Sequence, residues 1–288
     1  MTRSVEVLAS GPLTLLEDLG RVGHLAVGVG RAGAADLGSY LLGSRLLGNV
    51  AGAAALEVTM GGLRVRASGD LLVCLTGATT PAEVDGRPVP RAAPFQVRDG
   101  QELSLGMPVA GLRTYVSVRG GFAVPTVLGS ASFDTMSGLG AEPVWAGQVL
   151  PVGTSTAHFP HVDVAGVPEP ATGAVELDVL PGPRLDWFAR PERLAQTTWA
   201  VSSRSDRKGI RLEGEPLERS PELRDAELPS EGMVRGAIQV PPNGQPVLFL
   251  NDHPVTGGYP VIGVVRAASV DRAAQLQPGQ PVRLRWNL

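Results

Sequence analysis

The densest run of chemically useful side chains is Asn251-Asp252-His253-Pro254-Val255-Thr256-Gly257-Gly258-Tyr259-Pro260, which follows directly on the apolar run Val247–Leu250. A carboxylate beside an imidazole can move a proton, a tyrosine can donate or accept a hydrogen bond, and paired glycines let backbone approach a ligand closely. Polar groups delivered straight after a buried strand are rigidly mounted. A second string, Ser202-Ser203-Arg204-Ser205-Asp206-Arg207-Lys208-Gly209-Ile210-Arg211-Leu212, alternates hydroxyls, a carboxylate and arginines beside a glycine. The planar arginine fork suits carboxylates, phosphates and carbamate-like groups. Each string also has a plainer reading, the first as a loop closing a hairpin and the second as a mixed-charge surface turn.

Other chemistries find less support. Gly28-Val29-Gly30-Arg31-Ala32-Gly33 fits the dinucleotide pattern G-x-G-x-x-G, after a possible strand His24–Val27 and ahead of a helix, with Glu57 near where a ribose-binding acid would stand. The strand–helix–strand units that such a domain needs do not follow, which argues against nicotinamide or flavin. The helix N-terminus there would attract an anion, although Asp36 already offers a negative charge in its first turn. The one lysine, Lys208, lies outside any G-x-x-x-x-G-K-[ST] loop and outside any biotin-carrying hairpin. No G-x-S-x-G elbow occurs. His158 and His161 have no cysteine or acidic residue at a fixed spacing, so no metal site is expected. Cys74, in the apolar run Leu71–Thr76, is expected to be a small buried hydrophobe.

These residues must be carried by short strands. The chain of 288 residues contains 37 Gly and 25 Pro, roughly a fifth of the total, and they are spread along its length as turn formers. Strands are expected at Ser4–Ala9, Ala54–Thr59, Arg64–Ala67, Leu71–Thr76, Pro94–Val97, Leu103–Leu105, Arg113–Val118, Val175–Leu180, Thr198–Val201, Gly209–Leu212, Ala237–Val240, Val247–Leu250, Val261–Val265 and Val282–Trp286. Between Val240 and Val247, Asn243-Gly244 supplies the positive-φ positions of a tight reversal. Helices are expected at Ala34–Leu47, stopped by Gly48-Asn49, at Leu185–Phe188 and at Val270–Gln275. The polar, proline-rich stretch 158–175 reads as a linker between an N-terminal β-rich domain, 1–165, and a C-terminal domain, 176–288. A net charge of −3 speaks against nucleic acid or an anionic membrane as partner. No apolar run is long enough to cross a bilayer, and the N-terminus lacks the core of a signal peptide, so a cytoplasmic location is expected.

Several spaced strings together carry a family resemblance. They are Glu17–Gly23 (EDLGRVG), Gly28–Asp36 with the helix that follows, Gly48-Asn49, Leu56-Glu57-Val58-Thr59, Val118–Phe122 (VRGGF) with Val124-Pro125, and Leu128-Gly129-Ser130. They continue with Ser205-Asp206-Arg207, Gly209, Arg211-Leu212, Ser230-Glu231-Gly232, Gly236–Val240, Thr256–Pro260 and Gln275–Gly279. In this order, and along nearly the whole chain, they resemble the allophanate hydrolase subunit 2 family. That family includes KipA, the C subunit of prokaryotic 5-oxoprolinase (PxpC) and part of the carboxyltransferase region of urea carboxylase. The sequence departs from the family at Ala32, where serine is usual, and at Asn251–Val255, which replaces a more common Ala-Asp-Arg-Gln-Thr.

The resemblance implies a mainly β protein of two cyclophilin-like β-barrel domains with few short helices. It implies a KipI-like partner, the 5-oxoprolinase B subunit, joined by an A subunit of the LamB/YcsF type, and ATP-driven opening of the 5-oxoproline lactam to glutamate. No cofactor is expected on this chain alone; ATP with Mg is expected for the complex. Within the matching strings, Arg207 and Arg211 would hold anions with Asp206 positioning them. Asp252 would act as acid–base with His253 as helper. Ser203, Gln239 and Tyr259 would bind substrate, and Gly257-Gly258 would allow close approach. Two alternatives stay open: a KipA-type regulator that binds a KipI-like kinase inhibitor, and a biotin-dependent carboxyltransferase component acting on urea or a related amide.

Overall fold

Alternation sets the pattern of the N-terminal strands: in Leu63–Ser68 the apolar residues are buried and Arg64, Arg66 and Ser68 are exposed, the period of a strand with one face on a core. The computed structural model describes residues 3–287. The chain divides into two compact units. The first comprises residues up to Val22, Ala32–Asp134 and Gly138–Pro170; the second comprises Gly23–Arg31, Thr135–Ser137 and the chain from Ala171 onward.

The first unit holds strands β1 (Ser4–Ser10), β2 (Leu13–Glu17), β3 (Ala55–Thr59), β4 (Leu63–Ser68), β5 (Leu71–Thr79), β6 (Ala82–Val84), β7 (Arg87–Pro88), β8 (Pro94–Val97), β9 (Glu102–Leu105), β10 (Ala110–Val118) and β11 (Val149–Pro151), with helix α1 (Leu37–Leu46). They form a six-stranded sheet, β11-β1-β4-β9-β6-β7, and a five-stranded sheet, β2-β3-β10-β5-β8. Val5, Val7 and Leu103 from the first sheet and Leu56, Leu75 and Val116 from the second share one apolar core. A void of about 10 Å³ within it is lined by apolar side chains, too small and too dry to hold a substrate.

The second unit holds β12 (Val175–Pro181), α2 (Arg193–Gln196), β13 (Thr198–Val201), β14 (Gly209–Glu213), β15 (Glu231–Gly232), β16 (Ala237–Gln239), β17 (Val247–Phe249), β18 (Thr256–Gly257), β19 (Val261–Val265), α3 (Ala267–Ala273) and β20 (Pro281–Trp286). Seven of these strands close a barrel in the order β12-β19-β16-β17-β14-β13-β20, sealed by the parallel pair β12–β20. Trp199 is wholly buried, and its indole N–H donates to the Leu194 carbonyl at 2.9 Å. The β16–β17 hairpin turns at Gly244, φ 71°, where an added Cβ would stand 2.7 Å from the Leu217 carbonyl oxygen.

The chain is mainly β, with three short α-helices among the described residues, as expected. Barrel closure, expected twice, occurs in the second unit; the first unit is a pair of sheets. The edges of its two sheets, β11 and β7 in one and β2 and β8 in the other, do not pair with each other. His24–Val27 is not a strand: Leu25–Val27 forms a 3₁₀ turn, closed by Gly28 at φ 80°. Helix α1 starts three residues later than expected, because Ala32 and Gly33 take positive φ and Asp36 is the N-cap. The stretch 158–174 carries no regular structure, yet it is tied down. In the first unit Ala165 N–H donates to the Ala92 carbonyl and Arg91 donates to the Val167 and Pro168 carbonyls. In the second, Gln280 Nε2 donates to the Ala171 and Gly173 carbonyls.

Candidate functional site

In the barrel, residues paired across strands share a face. Ile238 lies opposite Leu248, and both are fully buried in the interior. The neighbouring register places Gln239, Val247 and Arg211 in one row on the outer face, since Gln239 pairs with Val247 and Val247 with Arg211. Phe249 and Gly209 form the next row on that face. A flap covers part of it: β15 and β18 pair as a two-stranded ribbon, with Glu231 opposite Gly257. Met233 from the flap packs with Ala237, Phe249 and Val261 in a small apolar cluster of its own.

Gln239 lies under this flap. Its Nε2 donates to the Tyr259 carbonyl at 3.0 Å and stands 3.9 Å from the Met233 sulfur. The ladder between β16 and β19 slips by one residue between Ile238 and Gln239, a bulge of the kind that re-aims a side chain. Gly257 makes room: a Cβ there would stand 2.6 Å from Gln239 Nε2. Tyr259 is 45% exposed. His253 stacks on Phe249 with ring centroids 5.9 Å apart, and its Nδ1 lies 2.8 Å from the Pro254 carbonyl oxygen. A carbonyl only accepts, so Nδ1 carries the proton. The flap is braced by Arg184, whose guanidinium bonds Glu231 through two nitrogens and holds that carboxyl below the usual glutamate range.

Arg207 and Asp252 are given to each other. Both side chains are buried; Nε donates to Oδ2 at 2.9 Å and Nη2 to Oδ1 at 3.1 Å. Thr135 adds two more donors to Oδ2, its N–H at 3.0 Å and its hydroxyl at 2.7 Å. A carboxylate held by so many donors is an anchor for the loop it begins. Asp206 does not position the arginines. Its Oδ1 accepts from the N–H groups of Lys208 and Gly209, closing the turn that leads into β14. Ser203 is exposed in that same turn. Arg211 is exposed on the barrel wall, and its guanidinium has no partner among the described residues.

Of the expected site residues, Gln239, Arg211, His253, Gly257 and Tyr259 therefore belong to the outer face and its flap. Arg207 and Asp252 form a separate buried anchor. Gly258 makes no room comparable to that at Gly257, since a Cβ there would lie 3.4 Å from the Leu228 carbonyl oxygen, an ordinary contact. Thr135, Arg184, Glu231 and Met233 were missed. Thr135 could not have been found from spacing, because it bonds to a residue 117 positions away.

The first unit uses the remaining motif residues structurally. Asp18 accepts from Gly20 N–H, Ala131 N–H and the hydroxyls of Ser130 and Ser132, at 2.6 to 2.7 Å. The buried Arg21 donates to the Val127 and Ser132 carbonyls. At the start of α1, Glu57 Oε2 accepts from Ala35 N–H and from the Tyr115 hydroxyl, and Asp36 Oδ1 accepts from Ser39 N–H. The amides of Ala35 and Ser39 at the start of α1 are thereby taken by the chain's own carboxylates.

Comparison with known proteins fits this architecture. The family model "Carboxyltransferase domain, subdomain A and B" matches residues 27–286. The 5-oxoprolinase C subunit of Escherichia coli (strain K12) is 36% identical over 283 residues, covering 96% of this chain and 89% of that protein. The crystal structure of TTHA0988 superposes with a TM-score of 0.89 at 31% identity, over 99% of this chain and 55% of that one. That of the K. lactis urea amidolyase gives 0.89 at 28%, over 98% of this chain and 18% of that one. The chain thus spans about half of the first solved relative and under a fifth of the second. With nine-tenths of its length matched, it belongs to the carboxyltransferase-domain family of subdomains A and B.

Proposed function

We propose that this chain is the C subunit of a 5-oxoprolinase, which opens the lactam of 5-oxoproline to glutamate in company with a KipI-like B subunit and an A subunit. The observation that carries the reading is the 36% identity to the 5-oxoprolinase C subunit of Escherichia coli, over almost the full length of both chains. A five-membered lactam is a stable amide, and its hydrolysis needs an activated carbonyl. ATP with Mg, held elsewhere in the complex, would supply that activation. The share of this chain is to bind and orient the substrate and to handle a proton.

The outer face of β16, β17 and β14 suits that share. Arg211 provides a cation for the substrate carboxylate, Gln239 and the flap backbone provide hydrogen bonds, and His253 handles a proton. The Arg207–Asp252 anchor keeps His253 and the flap in place. The test is reconstitution with candidate A and B subunits, following ATP consumption with and without 5-oxoproline. Consumption that depends on 5-oxoproline and on all three chains supports the reading; consumption indifferent to 5-oxoproline refutes it.

A second reading is carboxyl transfer to urea or a related amide, favoured by the structural likeness to urea amidolyase. It requires a separate biotinylated carrier in the native complex, which an avidin blot of that complex detects.

A further inference from the structure

We propose that Gln239 recognises the ring N–H of the cyclic amide through its Oε1, while Arg211 takes the carboxylate of the same molecule. The inference rests on the preceding reading and assigns the atoms by which the substrate is chosen. Gln239 is only 6% exposed, so its side chain is fixed rather than searching. The orientation of its amide follows from chemistry: the Tyr259 carbonyl can only accept, so the group bonded to it is Nε2. The other end of the amide is then Oε1, which has no hydrogen-bond partner among the described residues and is not among their enclosed polar atoms. A held acceptor with one face to solvent calls for a donor.

Three features of the surroundings agree. The bulge at Gln239 turns this side chain out of strict register with β19. Glycine at 257 leaves the space that the amide occupies. In the same outer row, two strands away and so about 10 Å between Cα atoms, stands the cation Arg211, unpaired among the described residues. In 5-oxoproline the carboxylate is attached to the carbon next to the ring nitrogen. N–H and carboxylate therefore project to neighbouring points, which the long Arg211 side chain and the fixed Gln239 can meet together. A ring oxygen in place of N–H would present lone pairs to Oε1 and be rejected, because the bound ring would cover the acceptor without supplying a donor.

The experiment uses the reconstituted three-subunit complex. The KM for 5-oxoproline is compared with the inhibition constant of its lactone analogue, in which oxygen replaces the ring N–H. Wild type is measured beside Gln239→Met and Gly257→Ala, the latter displacing Gln239 without altering it. Wild type is expected to bind the lactam about tenfold or more tightly than the lactone. Both variants should lose most of that preference by weakening for the lactam alone, and Arg211→Ala should weaken lactam and lactone equally. An active wild-type complex that binds the two rings alike, or variants that keep the preference, overturns the assignment of Gln239. A wild-type complex inert towards 5-oxoproline overturns the functional reading and this inference together. Because the lactone comparison is made on wild type, the assignment stays testable even if a variant fails to fold.

Discussion

The two units treat polar side chains in opposite ways. In the first, Asp18 and Glu57 are buried and surrounded by donors from their own chain, so their chemistry is complete. On the outer wall of the barrel, Gln239 is equally well held at one end of its amide, but its oxygen has no protein partner among the described residues, and Arg211 stands exposed in the same row. A carboxylate inside a closed network is a fastener. An acceptor fixed in place and left unfilled is free to take a donor from elsewhere. The presence of a charged or polar residue in a family motif therefore says little about catalysis until its bonds have been traced.

The sharpest way to break this contrast is at the anchor. Asp252→Ala leaves Arg207 buried without its carboxylate, and a loss of about 3 to 5 kcal/mol is expected in denaturant unfolding. A variant that unfolds like wild type would return Asp252 to the candidate acid–base groups. Glu57→Gln keeps the shape but removes the charge paired with the buried Arg113 at 3.3 Å and weakens the acceptor for Ala35 N–H and Tyr115, and should cost about 3 kcal/mol without changing KM in the complex. Gly257→Ala should do the reverse, moving thermal unfolding little while raising the KM for 5-oxoproline; the displaced atom is the end of a side chain, not backbone.

Two smaller effects concern protons. Arg184 lowers the pKa of Glu231, so this pair steadies the flap fully above the ordinary glutamate pKa and releases it as pH falls through the depressed value. Amide exchange of the β15–β18 ribbon should therefore quicken in acid, and Arg184→Ala should flatten that dependence. In the first unit, burial pushes the Cys74 thiol up to about 12. Its reaction with a disulfide reagent near pH 8 should be slow in the native protein and fast in denaturant; rapid labelling of native protein would show the site to be open.

Much of the scaffold was legible because its strands obey simple alternation or form short apolar runs between turn residues, as in Leu63–Ser68 and Val261–Val265. What escaped were strands too short to show a period, such as Arg87–Pro88, and Leu13–Glu17, whose consecutive buried residues show no alternation. The site was half legible. The strings that hold Gln239, Arg211, His253 and Gly257 stood out by composition. The division of labour within them did not, because Asp252 and Asp206 look alike in sequence. Only the distant Thr135 and the nearby Lys208 and Gly209 amides reveal one as an anchor and the other as a turn former.

The second unit recruits Gly23–Arg31 and Thr135–Ser137, stretches that leave the ribosome well before the barrel strands do. Thr135 must wait for more than a hundred further residues before Asp252 exists to receive its two bonds. A gene fragment beginning at Ala171 would encode every barrel strand yet omit that threonine. Such a truncation should produce a polypeptide whose Asp252 loop is loose even where the barrel closes, so the boundary visible in space is not a boundary at which the message can be cut.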